Sequence, residues 1–302
     1  MDRQEVIVGL GIALLLVTVG RINLVYGQPT AIDRANESST TGLSHELSLT
    51  IGLDVWPNQW VKSFDFFPFS GSNVGQLSAF SVAFIPNATL TYRRFFLSAS
   101  YMVPTGYQFG KISTVVAPMG VIPGPPGETS STAELLELRT DASRQEGDLT
   151  LGYFPLDWLG VAIGYKGIFQ RFDNEFRILP EGTVQTSRFK MRYNGITFGV
   201  LASAKIDDSF SLIGNAFGGY LFVDCNVSCS SGNSPYTAAK LVLRYAPTPR
   251  VSLTLGYRVQ IVNNPPKTPS DSPIVPGLPL EFDAPSSIDL THGAVMGVSY
   301  RF

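Results

Sequence analysis

The last six residues of the chain are Gly297-Val298-Ser299-Tyr300-Arg301-Phe302, and they alternate. Counting back from Phe302 in steps of two, Tyr300, Val298, Met296 and Ala294 fall on one side, while Arg301, Ser299, Gly297 and Val295 fall on the other. Successive side chains of a strand point to opposite faces of a sheet. The segment is therefore a strand with one apolar face, finishing on an aromatic residue.

A chain of 302 residues with 15% charged residues, 29 Gly, 12 Tyr and 20 Phe is rich in the material of a large β domain, and no shift of composition marks a linker. The formal charge of −2 and a pI near 5.7 provide no basic footprint. No run of like charges compensates, which excludes nucleic acid as a partner.

At the other end, Val6 to Val19 is an apolar run of fourteen residues. That is short for a bilayer span and suits the core of a secretory signal, with cleavage after Gly27 leaving Val25 and Gly27 at the small-residue positions. The expected organisation is a signal peptide over 1–27, an N-terminal periplasmic segment over 28–42, and a β-barrel over 43–302.

Beyond Gln28 no apolar run approaches the roughly 20 residues of a transmembrane helix, yet apolar residues remain frequent and alternate. Membrane strands need only about 9–11 residues each, with lipid-facing and lumen-facing positions alternating. Tight turns are expected at Arg93-Arg94, Pro155 to Trp158, Asp207-Asp208-Ser209 and Pro247-Thr248-Pro249. Between them come longer Pro-, Gly-, Ser- and Asn-rich stretches at roughly 57–76, 110–132, 173–186, 224–235 and 263–286. Short and long connections alternate strictly. With a first strand at "HELSLTIGLDVW" and the last at "IDLTHGAVMGVSYRF", the sequence predicts a transmembrane antiparallel up-and-down β-barrel of ten strands, both chain ends on the side of the short turns. An even count is what a single-chain bacterial barrel requires. Twelve strands is the alternative, through Pro86 in "FSVAFIPNATLTY" or the aromatic stretch from Phe64 to Phe69. A bulge is expected at Asn194-Gly195.

A water-soluble β sandwich would also alternate, but its outward faces would be polar. Here the apolar faces carry aromatics near the strand ends, as the interface girdles of a membrane barrel do. Tyr92, Tyr153, Tyr245 and Tyr300 would form one girdle near the short turns, and Tyr101, Tyr165 and Tyr257 the other. In Leu151-Gly152-Tyr153 and Leu255-Gly256-Tyr257 the Leu and Tyr share the lipid side, and the Gly faces inward.

The spacing of "DLTLGYF", "GVAIGYKGIFQRF", "SLTLGYRVQ" and "GVSYRF" resembles that of small Gram-negative outer-membrane β-barrel proteins of mostly unassigned function. The resemblance implies location in the bacterial outer membrane, contact with outer-membrane lipid, and recognition of Tyr300 and Phe302 by the barrel-assembly machinery as an assembly signal. It implies no activity, because such motifs are shared by barrels with different jobs.

The chemistry-bearing residues are few. The histidines are His45 and His292, at opposite ends of the chain. His292 has lipid-facing parity near the outer rim, where a lipid-modifying barrel enzyme would need a nucleophile and an orienting acid. Asp289 has the opposite parity and Ser286 lies in a loop, so no catalytic activity is expected. Cys225 and Cys229 have a spacing that two zinc thiolates could use, but no second Cys or His pair accompanies them. A disulfide in an extracellular loop is the simpler account. No metal site and no cofactor are expected. The Asn-x-Ser/Thr triplets at Asn36, Asn87 and Asn226 carry no message in a bacterium.

The lumen remains. Alternation points Asp54, Glu146, Asp148, Lys166, Lys240 and Arg258 inward near mid-barrel, with Arg244 and Arg301 closer to the periplasmic mouth. Acids fall on early strands and bases mostly on late ones. Enclosed charges are costly unless paired or hydrated, so these either bridge the lumen or line water. Two functions follow as expectations: a narrow, porin-like pore for small solutes, or a closed surface barrel that meets an extracellular partner through its loops. A lipid-modifying enzyme is the remote third.

Overall fold

The computed structural model describes residues 47–65, 74–116, 134–179, 183–225, 232–264 and 287–302. The expected signal segment 1–27, the segment 28–42, His45 and Cys229 lie outside them. The described residues form ten strands: β1 (Leu47–Asp65), β2 (Val74–Tyr92), β3 (Phe95–Val116), β4 (Glu134–Leu156), β5 (Leu159–Leu179), β6 (Thr183–Lys205), β7 (Phe210–Cys225), β8 (Gly232–Tyr245), β9 (Val251–Asn264) and β10 (Ser287–Arg301). Each is antiparallel to its sequence neighbours, and β10 pairs with β1 to close the barrel. The predicted ten-strand up-and-down barrel is what forms, and the twelve-strand alternative does not.

Closure rests on the alternating terminal segment. Ile51 faces Tyr300 and Leu53 faces Val298 across the β1–β10 seam, and the Phe302 amide donates to the Leu49 carbonyl at 2.9 Å. Outward positions are apolar on every wall, including Leu49, Ile51, Phe84, Leu97, Leu151, Ile163, Phe198, Leu243, Leu255 and Val298, all exposed. Such a band is stable only against lipid. Both predicted girdles form on this face, with Tyr92, Tyr153, Tyr245 and Tyr300 below and Tyr101, Tyr165 and Tyr257 above.

The four short turns fall where the sequence places them. Arg93 takes a left-handed φ of 54°, as a two-residue hairpin turn demands. Asp207 caps its turn by accepting from the Ser209 and Phe210 amides, each at 2.7 Å.

Three expectations need correction. First, the strands run well past the membrane: β1 continues through Pro57 to Asp65, and β3 to β6 have 22, 23, 21 and 23 residues, absorbing much of what composition marks as loop. Pro57 is admitted where the β1–β10 ladder has a gap, between Val55↔Met296 and Gln59↔His292, so its missing N–H breaks no rung there. Second, Pro86 does not break β2 but faces Leu53 in an unbroken β1 ladder. Its missing N–H is felt on the other side, where the β2–β3 ladder stops at Asn87↔Ser100. Third, the ladder through Asn194 and Gly195 is regular on both sides, and the register shifts lie at Met102/Thr105, Phe109/Ile112 and Tyr153/Leu156. The first of these brackets Val103-Pro104, and Pro again supplies the reason.

Candidate functional site

The inward positions form three tiers. In the tier nearest the short turns, glycines make room for rings: a Cβ on Gly152 would sit 2.1 Å from the Phe96 ring, so the ring occupies that glycine's share of the lumen. Above these rings lies a cavity of about 360 Å³, lined by hydroxyls such as Thr50, Ser98, Thr150 and Thr254 and by Asp54, Asp148, Lys240 and Arg258. Lys240 Nζ donates to Asp54 Oδ2 at 2.6 Å, linking β8 to β1, and both remain partly solvated.

The middle tier is largely buried and charged. Glu146 on β4 accepts from Arg144 Nε at 2.7 Å, Lys166 Nζ at 2.6 Å and Gln260 Nε2 at 2.8 Å, with Arg258 Nη2 at 3.3 Å. Asp289 on β10 accepts from Trp60 Nε1 at 2.7 Å, Arg144 Nη1 at 2.9 Å and Gln170 Nε2 at 2.6 Å. Lys166 also reaches Asp148 at 2.9 Å. Arg144, Glu146, Lys166, Gln170, Gln260 and Asp289 are each no more than 2% exposed. Three acids thus meet three bases, and Arg144 bridges the two carboxylate centres. Trp56 Nε1, Arg144 Nη2 and Gln170 Oε1 have no hydrogen-bond partner in the protein, so the tier keeps spare polar capacity.

The upper tier is aromatic. Trp60 meets Tyr107, Phe109 and Phe172 at centroid distances of 4.9, 5.2 and 5.5 Å, and Phe172 stacks on Phe189 at 4.5 Å. Lys62 Nζ lies 4.2 Å from the Phe172 centroid, and Arg258 Cζ lies 4.5 Å from that of Trp56. The Tyr107 hydroxyl donates to Asn58 at 2.8 Å.

The structure brings Glu146, Asp148, Lys166 and Arg258 into one cluster and Asp54 and Lys240 into another. Arg244 and Arg301 stand apart near the short turns, each engaged by neighbours. Sequence reasoning missed Arg144, Asp289, Gln170 and Gln260 as parts of the lumen, although Arg144 shares parity with Glu146, and Asp289 has the inward parity opposite to that of His292. Lys62 and Trp60 were hidden because their stretch reads as loop.

His292 faces outward, with Nδ1 2.6 Å from the Tyr257 hydroxyl. Cys225, at the end of β7, is disulfide-bonded. No group of metal-ligating side chains occurs among the described residues. In the turn below the barrel, the Lys205 ammonium bonded to Asp208 holds that carboxyl below its usual range.

No family model and no curated protein matches the chain. Among solved structures it is similar to the outer membrane protease OmpT of Escherichia coli, at 12% identity and a TM-score of 0.52, covering 88% of this chain and 99% of that one. Weaker likenesses include Ail, the attachment invasion locus protein of Yersinia pestis (8% identity, 85% and 99% coverage, TM-score 0.33). The toluene transporter TodX of Pseudomonas putida gives 10% identity, 85% and 90% coverage and a TM-score of 0.33. At such identities the likeness concerns the fold: this chain has the architecture of a bacterial outer-membrane β-barrel.

Proposed function

We propose that the protein is a closed outer-membrane barrel that acts at the cell surface through its extracellular wall, without conducting solute and without catalysis. The observation that carries this reading is the buried middle tier, bonded across the lumen. Gln170 reaches Asp289 from β5 to β10, and Gln260 reaches Glu146 from β9 to β4, each across the full width of the barrel. Ten strands enclose little more room than side chains can fill.

The uneven wall supports an outside role. At about 2.7 Å of rise per tilted residue, β4 and β6, with 23 residues each, climb roughly 60 Å, far more than the roughly 25 Å apolar band of an outer membrane. The described parts of β8 and β9, with 14 residues each, climb about 38 Å. The β3–β6 side offers sheet on which an extracellular partner can dock.

The second reading is a restricted solute pore. It is supported by the 360 Å³ cavity beneath the tier and by the unpartnered polar atoms of Trp56, Arg144 and Gln170. Purified protein in a planar bilayer separates the two. The closed barrel gives no steady current at moderate voltage, and stable unit conductance from the wild-type chain would overturn it.

A further inference from the structure

We propose that the cavity beneath the middle tier is a binding site for a neutral, polyhydroxylated molecule of mono- or disaccharide size. Its volume, about 360 Å³, falls in the range of small-molecule sites. The wall keeps it empty. Just above, the same lumen is filled by Arg144, Glu146, Lys166, Gln170 and Gln260, all buried. At the cavity many inward positions carry glycine or a short hydroxyl side chain, and the hydroxyls lie sideways over the glycines. A Cβ on Gly164 would sit 2.9 Å from Thr197 Oγ1 and 3.1 Å from Thr150 Oγ1. One on Gly297 would come within 2.6 Å of Thr254 Oγ1 and collide with the Asp54 carboxylate. The centre of the lumen is left clear.

The lining selects the ligand. Its charges are already answered: Lys240 bonds Asp54 at 2.6 Å, Asp148 accepts from Lys166 at 2.9 Å, and Arg258 reaches Glu146 at 3.3 Å and Gln260 at 3.1 Å. Asp54 and Asp148 face the cavity with Lys240 and Arg258, so its formal charge is zero and an ion would find no counter-charge. What remains open is neutral. Among the described residues, Thr50, Thr150, Thr197, Thr254 and Asn215 face the cavity with side chains that have no hydrogen-bond partner. Each can both donate and accept. An apolar guest would bury them unsatisfied, at a cost for every group, whereas a polyol satisfies them.

The lining is also two-sided. Thr254, Thr50, Ser98 and Thr150 lie on β9, β1, β3 and β4, whereas Leu201, Ile213 and Phe217 form an apolar patch on β6 and β7, with Thr197 and Asn215 as polar points in it. A sugar ring has the same division, with hydroxyls at its edge and C–H bonds on its faces, and such faces pack on aromatic rings. On the closed-barrel reading the molecule arrives from the periplasmic mouth, where the rings of Phe96 and Phe154 lie back on Gly152 and Gly160, along the wall. Binding itself does not depend on that reading: conductance tests the tier, and occupancy tests the cavity beneath it.

The test uses the purified, folded full chain in a zwitterionic detergent without a sugar headgroup. Glucose, N-acetylglucosamine and trehalose are the probes, and glucose 6-phosphate is the charged control. Saturation-transfer difference NMR, titrated into the tens-of-millimolar range, reads binding of each. At least one of the neutral sugars should give a saturable signal. T150V/T254V keeps the shape of the lining and removes two hydroxyls, so it should weaken that binding about 25-fold, about fivefold for each. T186V, on the exposed outer face of β6, should bind as wild type does. Heat-modifiable mobility on gels confirms folding, and T254V alone should show about a fivefold loss if the double variant fails to fold. Absence of saturable binding by all three neutral sugars, which is the result for a cavity that holds water only, would overturn the proposal. So would wild-type affinity in the folded hydroxyl variants, or tighter binding of glucose 6-phosphate than of glucose.

Discussion

Glu146→Ala should expose what the middle tier contributes. The carboxylate accepts at 2.6, 2.7 and 2.8 Å from Lys166, Arg144 and Gln260, so its loss strands two buried cations and an amide at once. Removing one partner of a buried pair typically costs about 3–5 kcal/mol, because the other charge is left uncompensated. Here the lower end applies, since Arg144 keeps Asp289 and Lys166 keeps Asp148. The expected loss is therefore about 3 kcal/mol. Trp56 and Trp60 are fully buried in or beside the tier and report its state, so guanidinium unfolding of vesicle-inserted protein followed by tryptophan fluorescence measures the change. The same variant should pass small currents in a planar bilayer. The surviving lumen cations then outnumber the acids, and the current should favour anions. A loss below about 1 kcal/mol without any current would refute the reasoning, because an unimportant carboxylate cannot hold the lumen shut.

Arg258→Ala removes the long 3.3 Å arm to Glu146 and the contact over Trp56, so it should cost only about 1–2 kcal/mol in the same unfolding assay. A loss as large as that of Glu146→Ala would misplace the centre of the network. Removing Phe302 deletes the amide that bonds Leu49 and the ring that packs on Tyr300 at 4.8 Å, and should sharply lower the amount of heat-modifiable barrel recovered from membranes. Normal assembly would argue against the terminal aromatic as a signal. Protein from untreated cells should take up thiol-specific label only after reduction, and Cys225→Ser should leave the barrel folded, since the loop between Cys225 and Cys229 is short and its closure constrains little chain.

The architecture was legible because membrane strands obey two rules that act locally. Period-two alternation decides which side meets lipid, and tight turns decide where the chain reverses. "GVSYRF" and the turn at Arg93-Arg94 carry both in a few residues. Strand length above the bilayer obeys neither rule. There both faces of β3–β6 can be polar, so a stretch such as "DNEFRIL" (173–179) looks like a loop while pairing rung by rung with β6. Lumen membership can be read residue by residue from parity, and Glu146, Asp148, Lys166 and Arg258 meet one another in the structure. Partnership cannot, because it depends on which strands face each other across the barrel and at what height. Asp54 and Lys240 are 186 positions apart in the chain and joined by one hydrogen bond.

On the closed-barrel proposal, that cross-lumen geometry also makes sealing and stability a single property. In a wide porin the wall stands by its ladders alone, and lumen charges are free to serve passing ions. In this barrel Asp289 is tied to β1 through Trp60, to β4 through Arg144 and to β5 through Gln170, so one carboxylate braces three walls against a fourth. Opening a path for solute would break several of these buried bonds together, at a cost approaching a typical domain's whole stability. A sequence selected for passage would gain from spacing such charges apart along the wall. Here they converge, which directs the search for function to the outer surface.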